Sequence, residues 1–181
     1  MLDLDILKAN PKEAIELIMD TYGNDVKKFI YCYLKNEADT DDVTQEVFVT
    51  VYFKLNTFKG NSSLKNWIYS IAANKCKDYL RKNSLRPSKL IERITKQSVT
   101  QIDNDVSKQY EENLDKKEVF KKVMALPIKY REVVILYYFK ELSIKEISYI
   151  LKEKETTLQS RLLRARKGLK EVNNEGEIII E

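Results

Sequence analysis

The chain contains no histidine, and its two cysteines, Cys32 and Cys76, stand alone with no CxxC pair. A zinc site therefore lacks its usual nitrogen and sulfur ligands, and no disulfide framework can be built. Isolated cysteines within helical sequence read as reduced thiols of a cytoplasmic protein. Glycine occurs four times and proline three times in 181 residues, so the turn-rich architectures are excluded and helix formers dominate. No uninterrupted apolar run approaches the ~20 residues of a membrane span. The acidic start lacks a cationic segment followed by an apolar one, so no signal peptide is expected. With no glycine-rich phosphate loop, no histidine and no nucleophile constellation, the chain offers no enzymatic class, and neither cofactor nor metal is expected.

What remains is 43% hydrophobic and 33% charged residues with a net charge of +4, the composition of a globular protein with a highly charged surface. The distribution of charge says more than its sum. Glu37, Asp39, Asp41, Asp42 and Glu46 follow one another without a cation, whereas Lys152 to Lys170 holds seven Lys/Arg against two Glu. Such segregation predicts an acidic docking face and separate basic faces for nucleic acid.

Apolar periodicity predicts an all-α fold of two small helical domains joined by a flexible linker. Val26, Phe29, Ile30, Tyr33 and Leu34 recur at helical spacing. A second helix follows the acidic cap at Asp39–Asp42, with Val43, Val47, Val51 and Leu55 at every fourth position and Phe48 beside them. The loop Lys59-Gly60-Asn61-Ser62-Ser63 precedes a third helix from Leu64 to Lys82. Periodicity then fades in a polar stretch and resumes at Val119, Phe120, Val123 and Met124, with a break at Leu126-Pro127. The expected boundaries are 1–83, a linker over 84–115, a second domain over 116–172 containing a helix-turn-helix, and a tail over 173–181.

The helix-turn-helix is the clearest motif. Ser143-Ile144-Lys145-Glu146 forms a capping box in sequence, followed by Ile147, Ile150 and Leu151. After the polar turn Lys152-Glu153-Lys154, Leu158, Leu162, Ala165 and Leu169 share one face of a second helix. Thr156, Ser160, Leu163, Arg164 and Lys167 fall opposite, and a face of small polar and basic groups suits the major groove. A solvated amphipathic helix is the plainer alternative.

The third helix has two sides. Leu64, Ile68, Ile71, Ala72 and Tyr79 are expected to pack inward, while Trp67, Ser70, Asn74, Lys77 and Arg81 form an aromatic, amide and cationic rail suited to exposed bases and phosphates. The alternative is that Trp67 folds over a neighbouring helix and the cations are solvated. Lys75 falls close to the apolar side, where the wheel gives it no role. Asp42 and Glu46, four residues apart, admit three readings: a solvated helix start, a protein-docking edge with Gln45, or a magnesium-dependent nuclease site with Asp41.

Together these pieces resemble the sigma factors of bacterial RNA polymerase, most closely the extracytoplasmic-function (ECF) subgroup. Asp42-Val43-Thr44-Gln45-Glu46-Val47-Phe48 resembles the family's core-polymerase docking helix. Phe58 to Asn74, with Asp78-Tyr79-Leu80-Arg81, resembles its promoter-melting loop and helix. Leu126-Pro127, Tyr130-Arg131-Glu132-Val133 and Leu142-Ser143 to Arg166 resemble its second domain.

The resemblance implies a promoter-specificity subunit whose partners are core RNA polymerase, promoter DNA and an anti-sigma factor. Asp42, Gln45 and Glu46 would bind the polymerase, and Lys59, Asn61, Ser62, Trp67, Asn74, Lys77 and Arg81 the melted downstream promoter element. Thr156, Gln159, Ser160, Leu163, Arg164 and Lys167 would read the upstream element as duplex. The linker's acidic part, Asp103, Asp105, Glu111 and Glu112, would run through the polymerase. The turn departs from the family pattern. Lys152 and Glu153 replace a usual glycine and an apolar residue, Lys154 a capping serine, Thr156 a glycine and Gln159 a basic residue. A free-standing helix-turn-helix regulator is the competing function, and it leaves the Trp67 rail and the Gln45-Glu46 edge without a role.

Overall fold

A computed structural model describes residues 9–84 and 114–171. They belong to two compact units, and among the described residues every regular element is helical. The linker and tail expectations lie outside the described residues, including Asp103, Asp105, Glu111, Glu112 and Ile178–Ile180.

The first unit is built from α1 (Pro11–Leu34), α2 (Glu37–Lys54) and α3 (Leu64–Ser84). Pro11 opens α1 at a position where its missing N–H costs nothing. The helix ends at Lys35, which takes the left-handed conformation (φ 55°) and donates its N–H to the Tyr31 carbonyl. α2 begins two residues before the expected acidic cap. Asn36 accepts the Asp39 N–H at 2.9 Å and so caps the helix, leaving Glu37 and Asp39 in the first turn, where their charge suits the dipole. Val43, Val47, Phe48, Val51 and Leu55 are all buried, as their four-residue spacing requires. Phe29 of α1 meets Tyr69 of α3 edge to face at 5.0 Å, and Phe29, Ile30, Ile68, Ala72 and Cys76 complete the interior.

The second unit comprises α4 (Leu114–Ala125), α5 (Ile128–Val134), α6 (Ile144–Leu151) and α7 (Glu155–Glu171). Pro127 separates α4 from α5, and the buried Arg131 donates to the Met124 carbonyl at 2.7 Å, satisfying an orphan group at the end of α4. α5 widens into a single π-type turn over Ile135–Phe139, closed by Lys140 N–H donating to the Ile135 carbonyl. The α6 capping box is complete. Ser143 Oγ accepts the Glu146 N–H, and Glu146 Oε2 accepts the Ser143 N–H at 2.9 Å. Leu158, Leu162, Ala165 and Leu169 of α7 are buried, as are Phe120, Val133, Leu136, Ile147 and Ile150 of the same unit, and α7 packs on α5 and α6.

Candidate polymerase and nucleic-acid faces

Asp42, Gln45 and Glu46 are exposed on α2, and the same stripe continues one and two turns on through Val49 and Phe53. Phe53 is 75% exposed and Val49 55%. Both lie off the buried stripe of Val43, Val47, Val51 and Leu55, and that displacement is the sequence signal by which they were recognisable. Glu46 Oε2 receives Lys75 Nζ of α3 at 3.2 Å, which gives Lys75 the role the helical wheel did not supply. Asp41 is paired with Lys27 of α1 at 2.6 Å. Two of the three carboxylates of the nuclease reading are thus held by lysines. Among the described residues no group of three or more His, Cys, Asp or Glu side chains is placed to hold a metal ion.

The loop before α3 turns at Gly60, whose φ of 72° needs the freedom of glycine. Ser63 caps α3 by accepting the Asn66 N–H at 3.1 Å. Lys59 and Asn61 are exposed, and Ser62 is half-buried. Asn74 and Lys77 are half-buried and Arg81 is exposed, its guanidinium donating to Asp78 Oδ1 at 3.0 Å. Trp67 is half-buried with its ring 5.0 Å from that of the buried Phe58, tilted by 33°. That contact explains how a tryptophan off the apolar stripe is accommodated. Ser70 departs from the expected rail. It is only 9% exposed and its hydroxyl donates to the Trp67 carbonyl at 2.7 Å. The buried arc of α3 includes Tyr69, Ala73 and Cys76 as well as Ile68 and Ala72, so it reaches round to Ser70, while Leu64 and Tyr79 are half-buried.

On α7, Thr156, Gln159, Ser160, Leu163, Arg164 and Lys167 are all exposed. The glycine-free turn before it is held by polar contacts. Lys152 adopts φ 55°, ψ 41° where a glycine is usual. Ser148 Oγ donates to the Glu153 carbonyl at 2.6 Å. Arg161 of α7 then spans two carboxylates, with Nη2 2.8 Å from Glu153 of the turn and Nη1 3.3 Å from Glu132 of α5. One guanidinium therefore fixes the turn and α7 relative to α5. Arg164 hydrogen-bonds Tyr130 and, with Lys129, draws its phenol below the usual tyrosine range. Arg166, also exposed, donates through Nε to Tyr138 Oη at 2.6 Å.

Residues 18–86 match the family model for Sigma-70 region 2 and residues 117–169 that for Sigma-70 region 4. The chain is 32% identical over 164 residues to the ECF RNA polymerase sigma factor SigM of Bacillus subtilis, covering 90% of this chain and 97% of that protein. It is 30% identical over 165 residues to the ECF sigma-E factor of Escherichia coli K12, covering 87% and 85% of the two chains. Among solved structures it resembles the sigma factor RpoE from Bartonella quintana, crystallised with the anti-sigma factor NepR (TM-score 0.69, 19% identity, 90% of this chain and 98% of that one). It also resembles CnrH, determined with the cytosolic domain of CnrY (TM-score 0.65, 22% identity, 97% and 100%). At these identities the structural likeness concerns the fold.

The chain belongs to the ECF sigma factors of bacterial RNA polymerase. Its function is promoter-specific transcription initiation with core polymerase, not that of a free-standing helix-turn-helix regulator. Sigma factors are non-catalytic initiation factors. No helix among the described residues is long and apolar enough to cross a membrane.

Proposed function

We propose that residues 1–83 form the module that docks on core polymerase and opens the promoter, and residues 116–172 the module that reads upstream duplex, with 84–115 as linker and 173–181 as tail. Docking runs through Asp42, Gln45 and Glu46, with Val49 and Phe53 adding an apolar extension to the same stripe. A flipped base of the downstream element is taken by the Lys59–Ser62 loop, and Trp67, Asn74, Lys77 and Arg81 hold the adjoining strand. Binding the extruded base offsets the few kcal/mol of unstacking, which makes strand opening part of recognition. Thr156, Gln159, Ser160, Leu163, Arg164 and Lys167 contact the upstream element in the major groove.

The observation that carries this assignment is the exposed face of α7. All six residues stand clear of the core that Leu158, Leu162, Ala165 and Leu169 fill. The chain acts in the cytoplasm, has no catalytic activity of its own and needs no cofactor. An anti-sigma factor controls it, a reading supported by the structural neighbour crystallised with the anti-sigma factor NepR. The test is footprinting with purified core polymerase. Protection of upstream duplex and reactivity of downstream thymines to permanganate must both depend on core and chain together. Protection by the chain alone contradicts the assignment.

A further inference from the structure

We infer that Lys75 sets the strength of polymerase docking by competing with the polymerase for Glu46. The inference rests on the docking role of Asp42, Gln45 and Glu46 proposed above. Two ion pairs bracket α2, one to each neighbouring helix. On the flank toward α1, Lys27 holds Asp41 at 2.6 Å. On the flank toward α3, Lys75 Nζ lies 3.2 Å from Glu46 Oε2. Asp41 falls about 100° round the helix from Asp42, off the exposed stripe of Asp42, Glu46, Val49 and Phe53, whereas Glu46 is part of it. Lys75 therefore brings a positive charge onto the docking surface itself, and Lys27 does not.

An acidic edge is recognised by cations, so the polymerase surface that meets it must present lysine or arginine. The Glu46 side chain is 61% exposed, and such a group can reach it. There it meets Lys75. A bidentate guanidinium needs both carboxylate oxygens, and Oε2 is already engaged. A cation on Oε1 alone sits close to the Lys75 ammonium and is repelled by it. Docking thus displaces Lys75 or tolerates its charge, and either course lowers affinity. Lys75 lies about 100° round α3 from Asn74, on the side that faces α2, so it is not one of the cations of the strand-binding rail. With Glu46 mostly in water the pair contributes little to fold stability, and its effect falls on binding.

The experiment titrates purified core polymerase into the full chain, dye-labelled at its N-terminus, without DNA, and reads anisotropy. Lys75→Met should bind about twofold to fivefold tighter than wild type, the range of a surface charge pair. Lys75→Gln, measured alongside, should show the same gain, and Lys75→Arg, which keeps the charge, should bind as wild type does. Lys27→Met removes an equal charge off the stripe and should change affinity far less. Glu46→Gln should weaken binding more in the Lys75→Met background than in the native one, because Glu46 is then wholly available to the polymerase. Unchanged or weaker binding by both Lys75→Met and Lys75→Gln, or an equal gain from Lys27→Met, overturns the inference. Those results leave the docking role intact if Glu46→Gln still weakens binding. Glu46→Gln without effect in either background overturns the docking reading and the inference together.

Discussion

Removing the Arg161 guanidinium tests how a turn without glycine holds the helix-turn-helix together. The Arg161 side chain is 19% exposed and that of Glu132 4%, so this ion pair is largely withdrawn from water, whereas Glu153 is 35% exposed. Breaking a buried pair by deleting one partner costs about 3–5 kcal/mol, because the remaining charge stays desolvated. The partial exposure of Arg161 reduces this to about 2–4 kcal/mol. Arg161→Met keeps the aliphatic stem, so the loss reports the charge and its hydrogen bonds rather than packing. At an m-value of about 1 kcal/mol/M, expected for so small a unit, the urea midpoint of the second unit falls by about 2 M or more. Far-UV circular dichroism follows the transition, and fluorescence of Trp67, the one tryptophan of the chain, reports the first unit as an internal reference. A double-mutant cycle with Glu132→Gln should give a coupling above about 1 kcal/mol, and one with Glu153→Gln a coupling below it, since that partner is better solvated. A midpoint moved by less than about 0.5 M, or equal couplings to the two carboxylates, would refute the reasoning.

Lys152→Gly should stabilise the second unit by about 0.5–1 kcal/mol in thermal melts, since glycine accepts φ 55° without steric cost; Lys152→Val should destabilise it. Alanine at Gln45 and Glu46 should weaken core-polymerase binding in a pull-down or anisotropy titration while leaving the Trp67 emission of the free chain unchanged, and unchanged affinity removes the docking assignment. Phe53→Ala should weaken the same binding by about 1–2 kcal/mol without loss of fold stability, since that ring is already mostly in water. Tyr130 should ionise before an ordinary tyrosine as pH is raised, because Arg164 favours the phenolate. A difference titration against Tyr130→Phe at 295 nm checks this. Arg164→Ala should move the transition back up, and the effect on stability appears only on the alkaline side, vanishing as pH falls below the lowered value.

The elements most legible in the sequence were those where one physical signal acts alone. The Ser143–Glu146 box and the Val43–Leu55 stripe both appear as their spacing requires, since capping and four-residue periodicity are local. The α3 rail was legible only in part. This helix packs against both α1 and α2, so its buried arc is wide and takes in Tyr69, Cys76 and the hydroxyl of Ser70. A wheel centred on Ile68, Ile71 and Ala72 could not show that width. Lys75 and Arg161 were opaque for a different reason. Their partners, Glu46 and Glu132, are each 29 residues distant in sequence, and only the packing of helices brings them together. The turn at Lys152 departs from the family pattern in having no glycine. Its stability comes from Ser148, Glu153 and Arg161, contacts that no turn propensity encodes.

Run-off transcription tests the central claim most directly, with purified core polymerase, genomic fragments and the full chain carrying either the native residues or paired alanines at Gln45 and Glu46. Discrete start sites should appear only with core and native chain together, should fade with the docking variant, and should shift in preference with Arg164→Ala. Start sites that are identical with and without the chain, or upstream protection by the chain in the absence of polymerase, would contradict the account.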